Sequence, residues 1–350
     1  MIELRKETYT TSLHNPMADF ALTGLPSEIR TDPLTGGRVR ICPPKVYNLR
    51  PHDWTPYIEN SRQRFCPFCP EALEKATPRF PAGLIPEGRL RIGGATLIPN
   101  MTPYDLYAAV VIMSPDHYVP PEGLVPNVLG DSLTAAWRFV ERLTAYDPDR
   151  AVYASINWNY MPYSGGSIIH PHLQVLAGPL ASRYQGEALA GEQDYFARTG
   201  RFFWDDLVSE EKERGERYLG ASGEVEWLAY WAPRALVDIA AVLPASGGEG
   251  ILAHLNDLCA GFARLMAYFQ SVNMPSFNAG LHLAPATARG HRITLRIGGR
   301  FTTHPVAGSD ITFLQLFHDE PWTPWEPEKV AAAARPFFAR QDFGPAATNE

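Results

Sequence analysis

Ser164-Gly165-Gly166-Ser167-Ile168-Ile169-His170-Pro171-His172-Leu173-Gln174 is a small-residue loop that runs into a stretch bearing two histidines. From Ile168 to Ala177 the residues are mostly apolar and tolerate extended backbone, and Gly178-Pro179 marks a stop, so the pattern predicts a short strand entered from a flexible loop. Side chains alternate along a strand, which sends His170, His172 and Gln174 to one face and Ile169, Leu173 and Val175 to the other. Pro171 has no amide for a ladder bond, so this strand either lies at a sheet edge or leaves that position unpaired. Taken alone, two histidines two residues apart are more often solvated, or satisfied by a carbonyl, than catalytic. The residues upstream change that balance.

With 350 residues, 45% of them hydrophobic and 20% charged, the chain has the composition of a folded protein with one large or two medium domains. A formal net charge of −7 argues against a broad nucleic-acid footprint, though local arginines can still hold a phosphate. Met1-Ile2-Glu3-Leu4-Arg5-Lys6-Glu7 lacks the apolar core of a signal peptide and no run reaches the length of a membrane span, so the expected setting is the cytoplasm, away from membranes. Of four cysteines, Cys42 and Cys259 read as ordinary buried thiols. Cys66-Pro67-Phe68-Cys69 points to metal binding or redox chemistry in a reducing compartment.

Residues 1 to 29 show no strong period and read as an arm, followed by a turn at Asp32-Pro33-Leu34-Thr35-Gly36-Gly37 and a strand at Arg38-Val39-Arg40-Ile41-Cys42. Lys45 and Arg50 sit in a proline-rich loop, where a solvated surface weighs at least as much as phosphate binding. No element is expected over 70–92. Strands are expected at Ala95–Ile98, at Tyr107–Met113 ending on Ser114-Pro115-Asp116-His117, and over Val152–Asn159, which puts Asn157 and Asn159 on one face. A helix is expected from Ser132 to Tyr146. The second half repeats this order loosely: strands at Glu226–Trp231 and Ala235–Leu243, a helix from Ile251 to Phe269, then strands at Phe277–Leu283 and Arg292–Ile297. The expected class is α+β with a degenerate internal duplication, modules 1–180 and 181–350, each an antiparallel sheet with packed helices.

A structural zinc needs four ligands, so Cys66 and Cys69 require two partners, and His117 and His170 are the best candidates. At this point several short motifs stand in order: Asp32-Pro33-Leu34-Thr35-Gly36, Cys66-x-x-Cys69, Ser114-Pro115-Asp116-His117, Asn159 and Gly166-Ser167-x-x-His170-Pro171-His172-x-Gln174. Together they resemble the galactose-1-phosphate uridylyltransferase family of the histidine-triad superfamily, over residues 28 to 180 and more weakly to about residue 315.

The resemblance implies two fused half-barrel modules, assembled as a homodimer. It implies one structural Zn2+ on Cys66, Cys69, His117 and His170, and makes His172 the nucleophile, with Gln174 beside it as the second catalytic residue. Asn159, Gly166, Ser167 and Gln174 match positions that contact nucleotide phosphates, and Arg30 and Asn100 match positions lining the nucleotide site. The implied substrates are a nucleotide sugar and a phosphorylated small-molecule acceptor, with a nucleoside monophosphate passing through a covalent nucleotidyl-histidine. Neutral imidazole is a competent nucleophile near neutral pH, and such an intermediate splits one hard displacement into two easier ones.

Departures are also legible. Asn100 is followed by Met101 where the family has aspartate. His304-Pro305-Val306-Ala307-Gly308-Ser309-Asp310 stands where the family has a sugar-recognition segment with lysine, phenylalanine, tyrosine and glutamate. Of the residues that hold a second metal in some members, His282 is the only plausible counterpart, and no second metal is expected. Two rival readings stay open: a phosphorylase or hydrolase of the same superfamily, and a zinc-stabilised nucleotide-binding protein without activity.

Overall fold

The computed structural model describes residues 2–42, 49–302 and 308–339, so Lys45 and the segment 304–307 lie outside the described residues. The chain opens with β1 (Lys6–Asn15) and β2 (Ala21–Thr31), a hairpin with β3 (Arg38–Ile41) beside it. Next, α1 (Thr55–Arg62) and α2 (Pro70–Ala76) flank the cysteine knuckle. The first half of the main sheet follows: β4 (Leu90–Ile92), β5 (Ala95–Pro99), β6 (Tyr107–Ile112), the long α3 (Asn127–Tyr146), β7 (Tyr153–Tyr160) and β8 (His172–Gly178). Two helices, α4 (Arg183–Thr199) and α5 (Phe203–Arg214), lead to the second half: β9 (Tyr218–Ser222), β10 (Val225–Ala229), β11 (Val237–Val242), α6 (Glu249–Ala253), α7 (Leu255–Ser271), β12 (Ser276–Leu283) and β13 (Thr294–Arg300). Finally α8 (Phe313–Phe317) and β14 (Trp322–Thr323) precede α9 (Pro327–Ala339), β14 completing a four-stranded sheet beside β3.

The main sheet runs β4-β5-β6-β8-β7-β12-β13-β11-β10-β9, with every neighbouring pair antiparallel. Its two halves repeat in register. Ile98↔Val110, Val110↔Gln174 and Gln174↔Asn157 in the first have counterparts Leu228↔Ala240, Ala240↔Arg296 and Arg296↔Gly280 in the second. Where the halves meet, β7 pairs with β12, so Asn157 faces its own counterpart Gly280 across the joint. The class is therefore α+β with two fused antiparallel halves, as the helix and strand order suggested.

One face of this sheet carries the main core. Leu133, Phe139 and Leu143 of α3, and Phe262, Leu265 and Phe269 of α7, pack against inward residues such as Leu97, Val111, Trp158, Leu173 and Val175. Each such side chain contributes about 1.5–3 kcal/mol by leaving water, which anchors β7 and β8 from below. On the opposite face, Cys66 and Phe68 cover Ile98, Val110 and Ile112 of the first half, while Phe203, Trp204 and Leu207 cover Leu228, Tyr230, Ala240 and Val242 of the second. Between those two covers the strands present His172, Gln174, Asn157, Asn159 and Asn278.

Several expectations are corrected. The strand near the histidines starts at His172, not Ile168, and lies inside the sheet between β6 and β7, not at its edge. Pro171 sits one residue before the first ladder pair, Ile112↔His172, so its missing amide removes no ladder bond, and its carbonyl accepts from the Met113 amide. The helix expected over Ile251–Phe269 is two, α6 and α7, parted at His254. Residues 70–92, expected to be irregular, hold α2 and β4. The N-terminal arm is a regular hairpin, largely exposed on both faces, so burial imposes no apolar period on it. Among the described residues no helix is long and apolar enough to cross a membrane.

The second half is tied to the hairpin by a charged cluster. The guanidiniums of Arg30 and Arg217 lie 4.2 Å and 4.8 Å from the Trp231 ring centroid, and both arginines pair with Glu328 of α9. Burial works to raise the Glu328 carboxyl, but hydrogen bonds and charge from Arg30 and Arg217 outweigh it and hold the group at about 2 instead of its usual 4.5. A depressed carboxyl stabilises the fold above its unfolded value, and that contribution is lost as pH falls from about 4.5 towards 2. Discounted for the 31% of this side chain that stays exposed, it is worth about 2 kcal/mol at neutral pH. Glu328→Gln should therefore lower Tm at pH 7, with the gap to the parent closing towards pH 3. A gap that is constant across that range would contradict the assignment.

Candidate active site and metal centre

The site is built where β7 leaves the sheet and β8 enters it. After Tyr160, Met161 adopts φ 66° and Gly165 φ 91° around a short turn at Pro162–Ser164, which reverses the chain in a few residues. Gly165 supplies the left-handed conformation without strain. At Gly166 a Cβ would stand 3.0 Å from the Asn159 carbonyl oxygen and 3.2 Å from that of Met161, so a side chain here would push the loop off the strand by a few tenths of an ångström. The Ser164 hydroxyl caps the Tyr160 and Met161 carbonyls. An aromatic brace steadies the turn from outside: the Tyr163 hydroxyl lies 3.2 Å from His52 Nδ1, and the Trp54 ring centroid 5.0 Å from that of Tyr163.

The loop delivers His170 and His172 to different work. His170 is fully buried, and its Nε2 donates to the Ser114 carbonyl at 2.7 Å, which leaves the Nδ1 lone pair for another partner. Burial lowers its pKa to about 4 and so favours the neutral ring. Cys66 Sγ and Cys69 Sγ each lie 3.7 Å from that Nδ1. Cys69 Sγ is also 3.2 Å from His117 Nδ1. His117 repeats the device. Its Nε2 is 2.8 Å from the Ser61 hydroxyl, which itself donates to the Ile58 carbonyl at 2.7 Å and must therefore accept from the ring.

Both histidines thus aim unprotonated Nδ1 atoms at two thiols, and the four ligand atoms lie within 4.8 Å of one another. Without a cation this arrangement disfavours thiolates: burial, then the neighbouring Cys66, push the Cys69 thiol up to about 12. A metal ion on two thiolates and two oriented imidazoles removes that penalty, and the partners of the far ring nitrogens fix both tautomers. The donor set fits a metal ion.

His172 opens β8 and is 8% exposed. Its Nδ1 donates to the His170 carbonyl at 2.8 Å. A carbonyl only accepts, so the proton is on Nδ1 and the Nε2 lone pair is free. Burial holds this imidazole below its ordinary pKa. The Phe68 ring, 5.4 Å away, packs against it. Gln174 follows on the same face, next to Asn157, which donates to the Gln174 carbonyl at 3.4 Å. Asn159 is on the same face of β7. Ser167 is exposed and borders a cavity of about 150 Å³ shared with Tyr57, Arg64 and His117.

Two expected residues are placed differently. The side chain of Asn100, at the end of β5, accepts from the Thr102 amide in its own turn. Arg30 has its guanidinium committed to Glu28, Glu328 and the Trp231 carbonyl. With its donors spent and its side chain buried, it serves this chain as a clamp.

Reading the sequence missed Asn278 and Arg300, and named Asp310 only as the end of the segment that departs from the family's sugar-recognition pattern. Asn278 donates to Asn159 Oδ1 at 2.7 Å, and beyond it the same face opens into a cavity of about 310 Å³ walled by Arg234, Asp238, Arg296, Arg300 and Asp310. Asn278 falls on an expected strand, but its place beside Asn159 depends on β7 pairing with β12, which no local pattern announces.

No protein-family model matches the chain. An uncharacterized protein of Archaeoglobus fulgidus is 29% identical over 318 residues, 89% of this chain and 92% of that protein. ADP-glucose phosphorylase of Arabidopsis thaliana is 26% identical over 201 residues, 50% of this chain and 55% of that protein. Among solved structures, an Arabidopsis thaliana ADP-glucose phosphorylase with bound ADP-glucose superposes with a TM-score of 0.68 at 21% identity, covering 88% of this chain and 98% of that one. A uridylyltransferase structure gives a TM-score of 0.64 at 20% identity, over 89% and 98%.

Proposed function

Proceeding from the fold this chain shares with ADP-glucose phosphorylase and uridylyltransferase, we propose that it is a nucleotidyltransferase that moves a nucleoside monophosphate from a nucleotide sugar to a phosphorylated acceptor through His172. The observation that carries this reading is the hydrogen bond from His172 Nδ1 to the His170 carbonyl, which commits the proton and leaves Nε2 as a buried lone pair. Nε2 attacks the α-phosphorus, an N–P bond forms, the bond to the bridging oxygen breaks, and hexose 1-phosphate leaves with that electron pair. The His170 carbonyl faces the positive charge that the substituted ring gains. An oxygen of the acceptor phosphate then attacks phosphorus, and the N–P pair returns to Nε2. Around this centre the Ser167 hydroxyl, the loop amides and the Gln174 amide donate to phosphate oxygens as charge builds there, with Asn159 alongside.

The metal is zinc on Cys66, Cys69, His117 and His170, since a borderline-soft ion without geometric preference suits two thiolates and two imidazoles. When bound, it would supply a structural anchor for the backbone around His170. His170 links the two centres: its ring faces the metal ligands and its carbonyl holds His172. Burial of His172 supports transfer to a phosphate over hydrolysis by bulk water. The adenine sugar nucleotide is the first substrate to test, on the strength of the sequence relative. Incubation with ADP-glucose or UDP-glucose, each with phosphate or with a hexose 1-phosphate, should yield nucleoside diphosphate or a new nucleotide sugar. Nucleoside monophosphate as the sole product, at an equal rate with or without acceptor, would contradict transfer.

The chain is further proposed to work in the cytoplasm, where such thiols stay reduced, and as a homodimer. Exposed Tyr9, Phe20 and Leu22 on the hairpin, with Phe313, Leu316 and Phe317 of α8, support a second copy as the occupant. A strictly monomeric mass in solution at micromolar concentration would contradict it.

A further inference from the structure

The asparagine missed by the sequence reading sits in a chain of side-chain hydrogen bonds whose direction can be deduced. Asp310 clamps the Arg300 guanidinium, with Nε 2.7 Å from Oδ2. Arg300 Nη1 reaches an Asn278 side-chain atom at 2.7 Å, and because a guanidinium only donates, that atom is Oδ1. The other end of Asn278 is therefore Nδ2, consistent with its 2.9 Å approach to the Ser164 carbonyl, which only accepts. Nδ2 also lies 2.7 Å from Asn159, so the atom it meets there is Oδ1. Asn159 is left presenting Nδ2, a donor with no partner among the described residues, on the face that carries His172 and Gln174.

We infer that Asn278, held by Arg300 and Asp310, is a positioning residue that sets the amide of Asn159 so that Nδ2, not Oδ1, faces the substrate phosphate. The inference rests on the nucleotidyl-transfer reading. An unheld Asn159 can flip and present an oxygen to an anion, which repels where the nitrogen would bind. The second contact of Asn278, to the Ser164 carbonyl, serves to fix the amide orientation of Asn278 itself. This site thus takes its orientation from the second half of the sheet, whose own strands carry no histidine at the position of His172: Thr294 stands there, paired with Val242 as His172 is with Ile112.

Two substitutions separate positioning from mere packing. Asn278→Ala removes the constraint and lets Asn159 sample both orientations. Asn278→Asp keeps the size and the bond to Arg300, but offers Asn159 only an acceptor, so Asn159 turns its Nδ2 to Asp and its Oδ1 to the phosphate. The rate of covalent labelling by ADP-glucose carrying label on the α-phosphorus, at saturating concentration, should fall about tenfold in Asn278→Ala and about a hundredfold in Asn278→Asp. In an Asn159→Ala background either change should matter less than about twofold. Tm of each variant, measured alongside, should not follow that ranking. Equal losses in the two variants, losses that follow Tm, or losses that persist without Asn159 would overturn the inference. If the parent is labelled and both variants label at its rate, only this inference fails; if the parent is never labelled, the nucleotidyl-transfer reading fails and takes this one with it.

Discussion

Replacing His172 with glycine should abolish nucleotidyl transfer, a loss of about 10⁴-fold or more, while metal content and Tm stay near those of the parent. The size follows from the role: removing a nucleophile removes both displacement steps, not one contact among several. The selectivity follows from the geometry. His172 Nδ1 bonds a carbonyl and contributes no atom to the cluster of Cys66, Cys69, His117 and His170. The space vacated beside Phe68 can admit imidazole, and added imidazole should restore part of the turnover without a protein-bound intermediate. His170→Ala should behave in the opposite order, losing metal and stability first and activity as a consequence. Should His172→Gly lose the metal while a His170 variant keeps it and cannot be labelled, the two roles are reversed.

The second large effect is expected from Cys66→Ser or from stripping the metal with a chelator. Cys66 and Phe68, with Leu73 of α2 packed beside them, form the cover over Ile98, Val110 and Ile112. Structural zinc contributes folding free energy directly, about 10–16 kcal/mol in small zinc-folded peptides, though here α3 and the main core carry much of the load. A loss of roughly 3–5 kcal/mol, seen as a marked fall in Tm, together with less than one metal per chain, is the expected outcome. Activity should fall with it, because the His170 backbone that holds His172 is then loose. Full metal content and an unchanged Tm in Cys66→Ser would remove Cys66 from the ligand set.

How far the sequence carries is set by which interactions are local. The glycine loop, the strand rich in β-branched residues at Tyr107–Ile112 and the amphipathic face of α3 all write their structure into neighbouring residues. So do alternating Asn157 and Asn159. The cysteine and histidine set was legible because ligand chemistry restricts residue type, even though His170 is remote in sequence from Cys66. Helices α4 and α5 went unread although their signals were present, Ser182 capping one start and Gly200 and Gly215 taking the left-handed stops. Their apolar stripes are interrupted by buried polar residues such as Glu192, which binds His291 and Trp204. Arg30 shows the opposite failure. A motif position suggested a nucleotide, but of the two carboxylates that hold the arginine one, Glu328, comes from the far end of the chain. Asn278 needed the joint between β7 and β12, which is tertiary information.

The most direct test of the central claim is the intact mass of the metal-replete protein after brief exposure to ADP-glucose without acceptor, quenched in alkali to preserve an N–P bond. The protein should gain one nucleoside monophosphate per chain, mapped to the peptide bearing His172, labile to acid and discharged by added phosphate or hexose phosphate. Steady turnover of ADP-glucose with no such adduct, and with activity retained in His172→Gly, would contradict it.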